Sequence, residues 1–237
     1  MDNPWKDLGL ETDSWVLPKD RPKIADYNQS QRNPETRIAT QSIPEPFIGN
    51  PESAGLVLLG LNPGHSESDT ENHRNPNFRN AMLLNLKHEF LDYPFYPLNP
   101  AFSHTGAGQF WNKKLGPLRK EAKLSDAVLS QLVMVIEWFP YHSERSGLPK
   151  KKVCESQEYS FFLARQMSQK DGVIVLGMRS EKHWKSLVPA LRDVPFLRNP
   201  QNPSVSRGNM DEGLFEKILK SLGKNAEQPR LEQPSAS

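Results

Sequence analysis

Two short loops in this sequence concentrate side chains suited to chemistry. The first is Gly60-Leu61-Asn62-Pro63-Gly64-His65-Ser66, directly after an apolar run. Glycines there permit a tight turn and close approach of backbone to a ligand, and Pro63 stiffens the exit. Asn62 becomes a fixed side-chain amide offering donors and an acceptor. N-P-G after a strand is also a common turn signal. The loop lacks the G-x-G-x-x-G layout and the Walker lysine, which weakens a phosphate-cradle reading. The second loop runs Asn199-Pro200-Gln201-Asn202-Pro203-Ser204-Val205-Ser206-Arg207-Gly208 and by itself reads equally as a polar turn. Between them, Glu137 stands at the end of a second apolar run, three residues before Pro140. An acid in that setting reads a ligand, holds a proton or pairs with a cation. Among the histidines, His65 is best placed to touch a substrate. His104 precedes a Gly-rich turn and His142 follows Phe139-Pro140-Tyr141, while His73, His88 and His183 read as surface or helix-packing residues. No two share a helix with an acid at metal-ligand spacing. The lone Cys154 excludes a disulfide framework, a four-cysteine zinc site and a cysteine-held iron–sulfur cluster. No cofactor and no metal are expected.

These residues need a scaffold that brings loops together. Three apolar runs of strand length, at 55–61, 131–139 and 171–178, are apolar on both alternating faces, the pattern of central parallel strands covered on both sides. VPFLRN (194–199) is a shorter fourth candidate. Helical patterns separate them at 78–90, 110–122, 155–169, 179–191 and 213–222, the second interrupted near Gly116-Pro117. The expected fold is α/β, a three-layer α/β/α sandwich around a mainly parallel four-stranded sheet. Ligands of such sheets bind outside the carboxyl ends of the strands, where both loops fall. Residues 1–50 read as an irregular Pro-rich arm, 51–223 as the α/β/α domain and 224–237 as a disordered tail.

With 237 residues, the chain is long enough to bury a core without staples. No run approaches the roughly 20 apolar residues that span a bilayer, and the polar, acidic start does not read as a signal peptide. A soluble, cytoplasmic protein is expected. The net charge of +2 conceals an asymmetry: residues 1–100 hold 9 basic and 14 acidic residues, residues 101–200 hold 16 and 9. The basic part includes Lys113, Lys114, Arg119, Lys120 and Lys123, then Arg145, Lys150, Lys151 and Lys152. Such a run is either a solvated face or a phosphate-contacting stripe.

Taken in order and spacing, the two loops resemble those of the uracil-DNA glycosylase superfamily. GLNPGHS is similar to its strand-one loop in the mismatch-specific and single-strand-selective branches, and NPSVSRG to its late loop. Between them, SHTGAGQFWNKKL and GVIVLGMRSEKHWKS resemble segments of the mismatch-specific branch. The resemblance covers roughly residues 55–222. It implies a monofunctional DNA glycosylase that flips a base from DNA and hydrolyses its N-glycosidic bond, leaving an abasic site. The implied partner is DNA, with no membrane, and a monomer is expected.

The resemblance assigns roles by position. Asn62 would orient the attacking water, and Asn202 would lie beside the scissile bond or departing base. Gly60, Leu61, Pro63, Gly64 and His65 would line the base pocket, with Phe102 as stacking platform. Phe110 and Trp111 would pack their helix onto the core. Ser204, Ser66 and Ser206 would hold phosphates, Val205 falls near the wedge position, and Arg207 would fill the vacated stack or hold a phosphate. Lys113, Lys114, Lys150, Lys151 and Lys152 would follow the DNA backbone. Asn199-Pro200 offers a competing register for the late loop. This chain departs from other branches in having Asn rather than Asp at the water position, Asn rather than His in the late loop, and Glu137 where a pyrimidine-reading Asn is expected. An ionised Glu137 suits the exocyclic amine of cytosine better than uracil. A modified, cytosine-derived base is therefore expected over plain uracil, with 75–102 shaping a roomier pocket and phage defence as one setting. The alternatives are a uracil or mismatch repair glycosylase, a non-catalytic sensor of modified or single-stranded bases, a hydrolase of free nucleosides and a protein-interaction module.

Overall fold

The computed structural model describes residues 1–8 and 14–227. Three apolar runs form the strands expected of them: β2 (Leu56–Leu59), β3 (Val133–Ile136) and β4 (Ile174–Gly177). β2 and β3 are completely buried along their length, as residues apolar on both faces require. β2 is central and pairs in parallel with both neighbours, so that Leu59 stands level with Ile136 on one side and Gly177 on the other.

The sheet has four strands in the order β1-β3-β2-β4, but it is mixed rather than mainly parallel. Its fourth member is β1 (Phe47–Ile48), antiparallel to β3 and drawn from the Pro-rich arm. Two residues between Pro46 and Gly49 are too short to show a period, so the letters hide this strand. VPFLRN is not a strand. It touches the β4 edge through one parallel bridge, Gly177 to Phe196. Pro195 has no N–H to extend a ladder, and Arg198 N turns away to donate to Asn209 O (2.9 Å).

The helices are α1 (Arg21–Ser30), α2 (Glu67–Asn72), α3 (Pro76–Leu86), α4 (Gly106–Ala122), α5 (Asp126–Leu132), α6 (Gln157–Gln169), α7 (Glu181–Leu187) and α8 (Glu212–Glu227). α4 starts earlier than its sequence pattern and passes through Pro117 without splitting. The proline forfeits one backbone bond, but Trp111, Leu115 and Leu118 bury on either side of it and hold the helix together. Residues 224–227 continue α8, and the rest of the expected tail lies outside the described residues. No helix among the described residues is long and apolar enough to cross a membrane.

The arm is irregular over much of its length but is packed as core. Trp5, Trp15, Val16, Leu17 and Ile24 are buried. Its anchor is Asp20, wholly buried at the N-terminus of α1. Tyr141 Oη donates to Asp20 Oδ2 (2.7 Å), while the N–H groups of Glu155 and Ser156 donate to Oδ1 (3.0 and 3.2 Å). Tyr141 lies in the loop after β3, so one carboxylate ties the arm to the loop that carries Glu137. Asp20→Ala strands three buried donors and is expected to lower unfolding stability by about 3 kcal/mol, read from urea denaturation. A loss within experimental error refutes the anchor.

Candidate active site

Parallel pairing delivers three chain exits to the same sheet edge. The loop after β2 carries Gly60 to Ser66, the loop after β3 starts at Glu137, and Met178-Arg179 follow β4. Backbone bonds extend the ladder past the strands: Phe139 N to Leu61 O (2.8 Å), Ser143 N to Pro63 O (3.3 Å) and Met178 N to Leu59 O (2.9 Å). Together with α3 and α4 they enclose a cavity of about 360 Å³. That lies at the low end of small-ligand pockets, roughly 300–1,000 Å³.

Asn62 stands on the cavity wall with its amide orientation settled by its neighbours. Nδ2 faces Pro63 O (3.1 Å), Tyr141 O (3.5 Å) and Ser143 Oγ (2.9 Å). Carbonyl oxygens only accept, so the amide nitrogen must point at them. Oδ1 therefore faces away, and no donor among the described residues reaches it. A single free acceptor on a locked amide is suited to orienting one water.

Glu137 is 8% exposed and lines the same cavity. Its Oε2 meets no hydrogen-bond partner among the described residues. Burial, reinforced by the Glu45 charge and opposed by Arg179, pushes its carboxyl up to about 8. At neutral pH it holds a proton. Gly60 makes room for it: a Cβ at that position would overlap the carboxyl group. Gly60 is further fixed by its N–H to Ile136 O (2.9 Å) and by Trp184 Nε1 donating to its carbonyl (2.6 Å).

Behind the first loop lies a group of buried ionisable side chains. His142 Nδ1 lies 2.6 Å from Gly64 O and Nε2 lies 2.9 Å from Ile43 O. Both bonds form at once only if the ring carries two protons. Glu45 Oε2 lies 3.4 Å from Nε2, and its Oε1 receives Tyr96 Oη. Burial raises the Glu45 carboxyl. His73 accepts Ile43 N–H at Nδ1 (3.2 Å), and burial together with the His142 charge pushes it down to about 2. His65, whose Nδ1 is 3.2 Å from Ser42 Oγ, is lowered for the same reasons. These bonds commit His73 and His142 to the protein. Among the described residues no three His, Cys, Asp or Glu are grouped to hold a metal ion.

Of the residues expected at the site, Gly60, Leu61, Asn62, Pro63, Gly64, His65, Ser66 and Glu137 do line the cavity. Ser66 also opens α2, donating through N and Oγ to Asp69 (2.7 and 2.8 Å). Phe102 does not line it. Its ring is 6% exposed and packs edge-to-face on Phe78 at 5.0 Å. Phe110, expected to pack onto the core, is instead 37% exposed at the cavity, while its neighbour Trp111 buries as expected and also lines the cavity. Of residues 75–102, only Phe78 reaches the cavity, because Phe95, Tyr96 and Phe102 fill the core beneath.

The late loop is held away from the cavity. Lys114, itself buried, donates from Nζ to Asn202 Oδ1 (2.7 Å), and its carbonyl accepts Val205 N–H (2.9 Å). Asn199 Oδ1 receives the N–H groups of Gln201 and Asn202, which makes Asn199 a turn former. Val205 is wholly buried and cannot act as a wedge. Ser204 and Ser206 are half-buried, and their carbonyls receive Asn209. Arg207 is committed to Glu121, Glu212 and Glu216 rather than to phosphate. Lys113, Lys150 and Lys151 are exposed, while Lys152 pairs with Glu158 (2.6 Å).

Sequence reasoning missed Arg179, Glu45 and His73 as cavity residues. Arg179 Nε is buried without a partner among the described residues. Its position was readable in principle: Arg179 is two residues beyond Gly177, which stands level with Leu59 and Ile136. No protein-family model, curated protein or solved structure matches this chain.

Two pH effects on stability follow. The folded-state value of His73 is depressed, so its contribution is present above the unfolded value near 6.5 and is lost as pH falls. Denaturation midpoints are expected to drop below pH 6.5, approaching about 1.4 kcal/mol per pH unit, with a flatter slope in His73→Asn. Glu137 has the opposite sign. Its raised value contributes fully below about 4.5 and is lost as pH rises through about 8. Between pH 5 and 8 the wild type should lose stability relative to Glu137→Gln, by up to about 1.4 kcal/mol per pH unit. Parallel pH curves for the two proteins refute a proton held on Glu137.

Proposed function

We propose that this protein is a monofunctional DNA glycosylase. It hydrolyses the N-glycosidic bond of a base flipped out of DNA, with a cytosine-derived, modified base preferred. The observation that carries the reading is Asn62, its amide nitrogen locked and Oδ1 free, sharing one cavity with the buried carboxyl of Glu137. Hydrolysis through an oxocarbenium-like state asks for a placed water, exclusion of solvent and relief of charge on the departing base. The cavity offers the first through Asn62 and the second through its apolar walls.

The protonated state of Glu137 changes which base edges it can pair with. A neutral carboxyl has one donor and one acceptor. It pairs with the N3 and amino edge of cytosine, and equally with the N3–H and carbonyl edge of uracil. Hydrogen bonding by Glu137 alone therefore does not choose between them. The proposed partner is DNA, approached by the exposed Lys113, Lys150 and Lys151. The proposed setting is a cytoplasmic monomer with a three-layer α/β/α core, acting on modified phage-type DNA in keeping with the motif resemblance. One observation favours the alternative of a non-catalytic base sensor: Asn202 is bonded to Lys114 outside the cavity, so the late loop lends nothing to the leaving base in this arrangement.

Duplexes containing uracil, hypoxanthine, cytosine, 5-hydroxymethylcytosine or its glucosylated form separate these readings. Alkali-sensitive abasic sites are expected with a cytosine-derived base, and Asn62→Ala should slow their formation by about 10²-fold or more. Binding of such duplexes without any abasic product supports the sensor.

A further inference from the structure

Glu137 is more than a hydrogen-bonding edge. Three features of its setting are unusual together: the side chain is more than nine-tenths buried, Oε2 has no partner among the described residues, and the residue lines the cavity that holds Asn62. A buried acid kept only for structure is normally saturated with donors. Asp20 in this same chain receives three. Among the described residues Glu137 receives none, and the absence of a Cβ at Gly60 leaves room for its carboxyl. Beyond β4, Arg179 lines the same cavity, its Nε buried and without a partner among the described residues and its charge acting on Glu137.

Resting on the glycosylase reading, we propose that Glu137 is the general acid that hands its proton to the departing base, and that Arg179 is the counter-ion for the carboxylate left behind. As the bond from C1′ to the base nitrogen breaks, its electron pair moves into the base. The Glu137 proton goes to the ring nitrogen next to the exocyclic amine. Water oxygen bonds to C1′, and the proton that it loses returns through solvent to Glu137, so that sugar hydroxyl and neutral base are the products. This route serves bases whose ring nitrogen has a free lone pair, as in cytosine and its 5-substituted derivatives. Uracil carries a proton at that nitrogen already and gains little. The acid thus supplies a choice between the two bases that hydrogen bonding does not.

Several other groups bear on the proton. Glu45, ahead of β1, raises its affinity and Arg179 lowers it. His65 and Asp69 line the cavity from the first loop and α2, and His142 and Glu144 from the loop after β3. Among the described residues that line the cavity, Glu137 combines a buried oxygen without a partner with a proton held at neutral pH.

The test is single-turnover base release from the glucosylated and plain 5-hydroxymethylcytosine duplexes, over about pH 6 to 10. A 5-fluorouracil duplex serves as the comparison, since that base departs readily as an anion. Wild-type release of the cytosine-type base should fall about tenfold per pH unit above pH 8. Glu137→Gln should lose about 10²- to 10⁴-fold on that base, lose the alkaline limb, and lose far less on 5-fluorouracil. Binding of a duplex with a non-cleavable 2′-fluoro nucleotide reports whether the variant still folds and takes the base. The wild-type profile reads the proposal even if it does not. A flat wild-type profile overturns the acid role, as does a Glu137→Gln rate within about threefold of wild type. Release of uracil or hypoxanthine with no cytosine-type base also overturns it and leaves the glycosylase reading standing. No release of any base overturns both.

Discussion

The parallel pairing of β2 with β3 and β4 places three chain exits on one edge, and the cavity depends on it. Leu59, Ile136 and Gly177 stand level. A parallel ladder allows no hairpin, so each chain must leave the sheet at the same end and return elsewhere. The first residues past that level are therefore neighbours however far apart they lie in sequence. The geometry of Asn62, Glu137 and Arg179 thus follows from apolar residues that never touch a ligand.

Inside the cavity, neighbours rather than solvent decide charge. Glu45 is raised by burial yet sits beside a doubly bonded His142, and His73 is kept neutral by the same burial. His142 also grips the carbonyl of Gly64, so the electrostatics of this group and the shape of the Asn62 loop are one problem. The three buried acids among the described residues differ sharply. Asp20 receives three donors and works as a fastener, Glu45 is shared between Tyr96 and His142, and Glu137 has an oxygen that meets no partner among them.

Much of this was legible where a strong local pattern met a general rule. Three apolar runs gave three parallel strands, and turn-rich segments after them pointed to the edge where ligands bind. Asn62 and Glu137 were found that way. The remainder was hidden for specific reasons. β1 has two residues and no period. Phe102 and Phe110 are both aromatic residues near a helix start, and only packing shows that one is buried under Phe78 while the other faces the cavity. The late loop looked active because its letters match a motif, but its placement is set by Lys114, about 90 residues earlier. Spacing along a chain does not contain that contact. Arg179 reads as the polar start of α7, although counting from the strand ends places it at the same sheet end as Glu137, with β2 between them.

Gly60 is enclosed on every side: its N–H by Ile136, its carbonyl by Trp184 and its Cα by the Glu137 carboxyl. The two positions are therefore coupled. A Cβ at 60 requires the Glu137 carboxyl to swing aside, so in relatives of this chain the residue at 60 limits where an acid at 137 can stand.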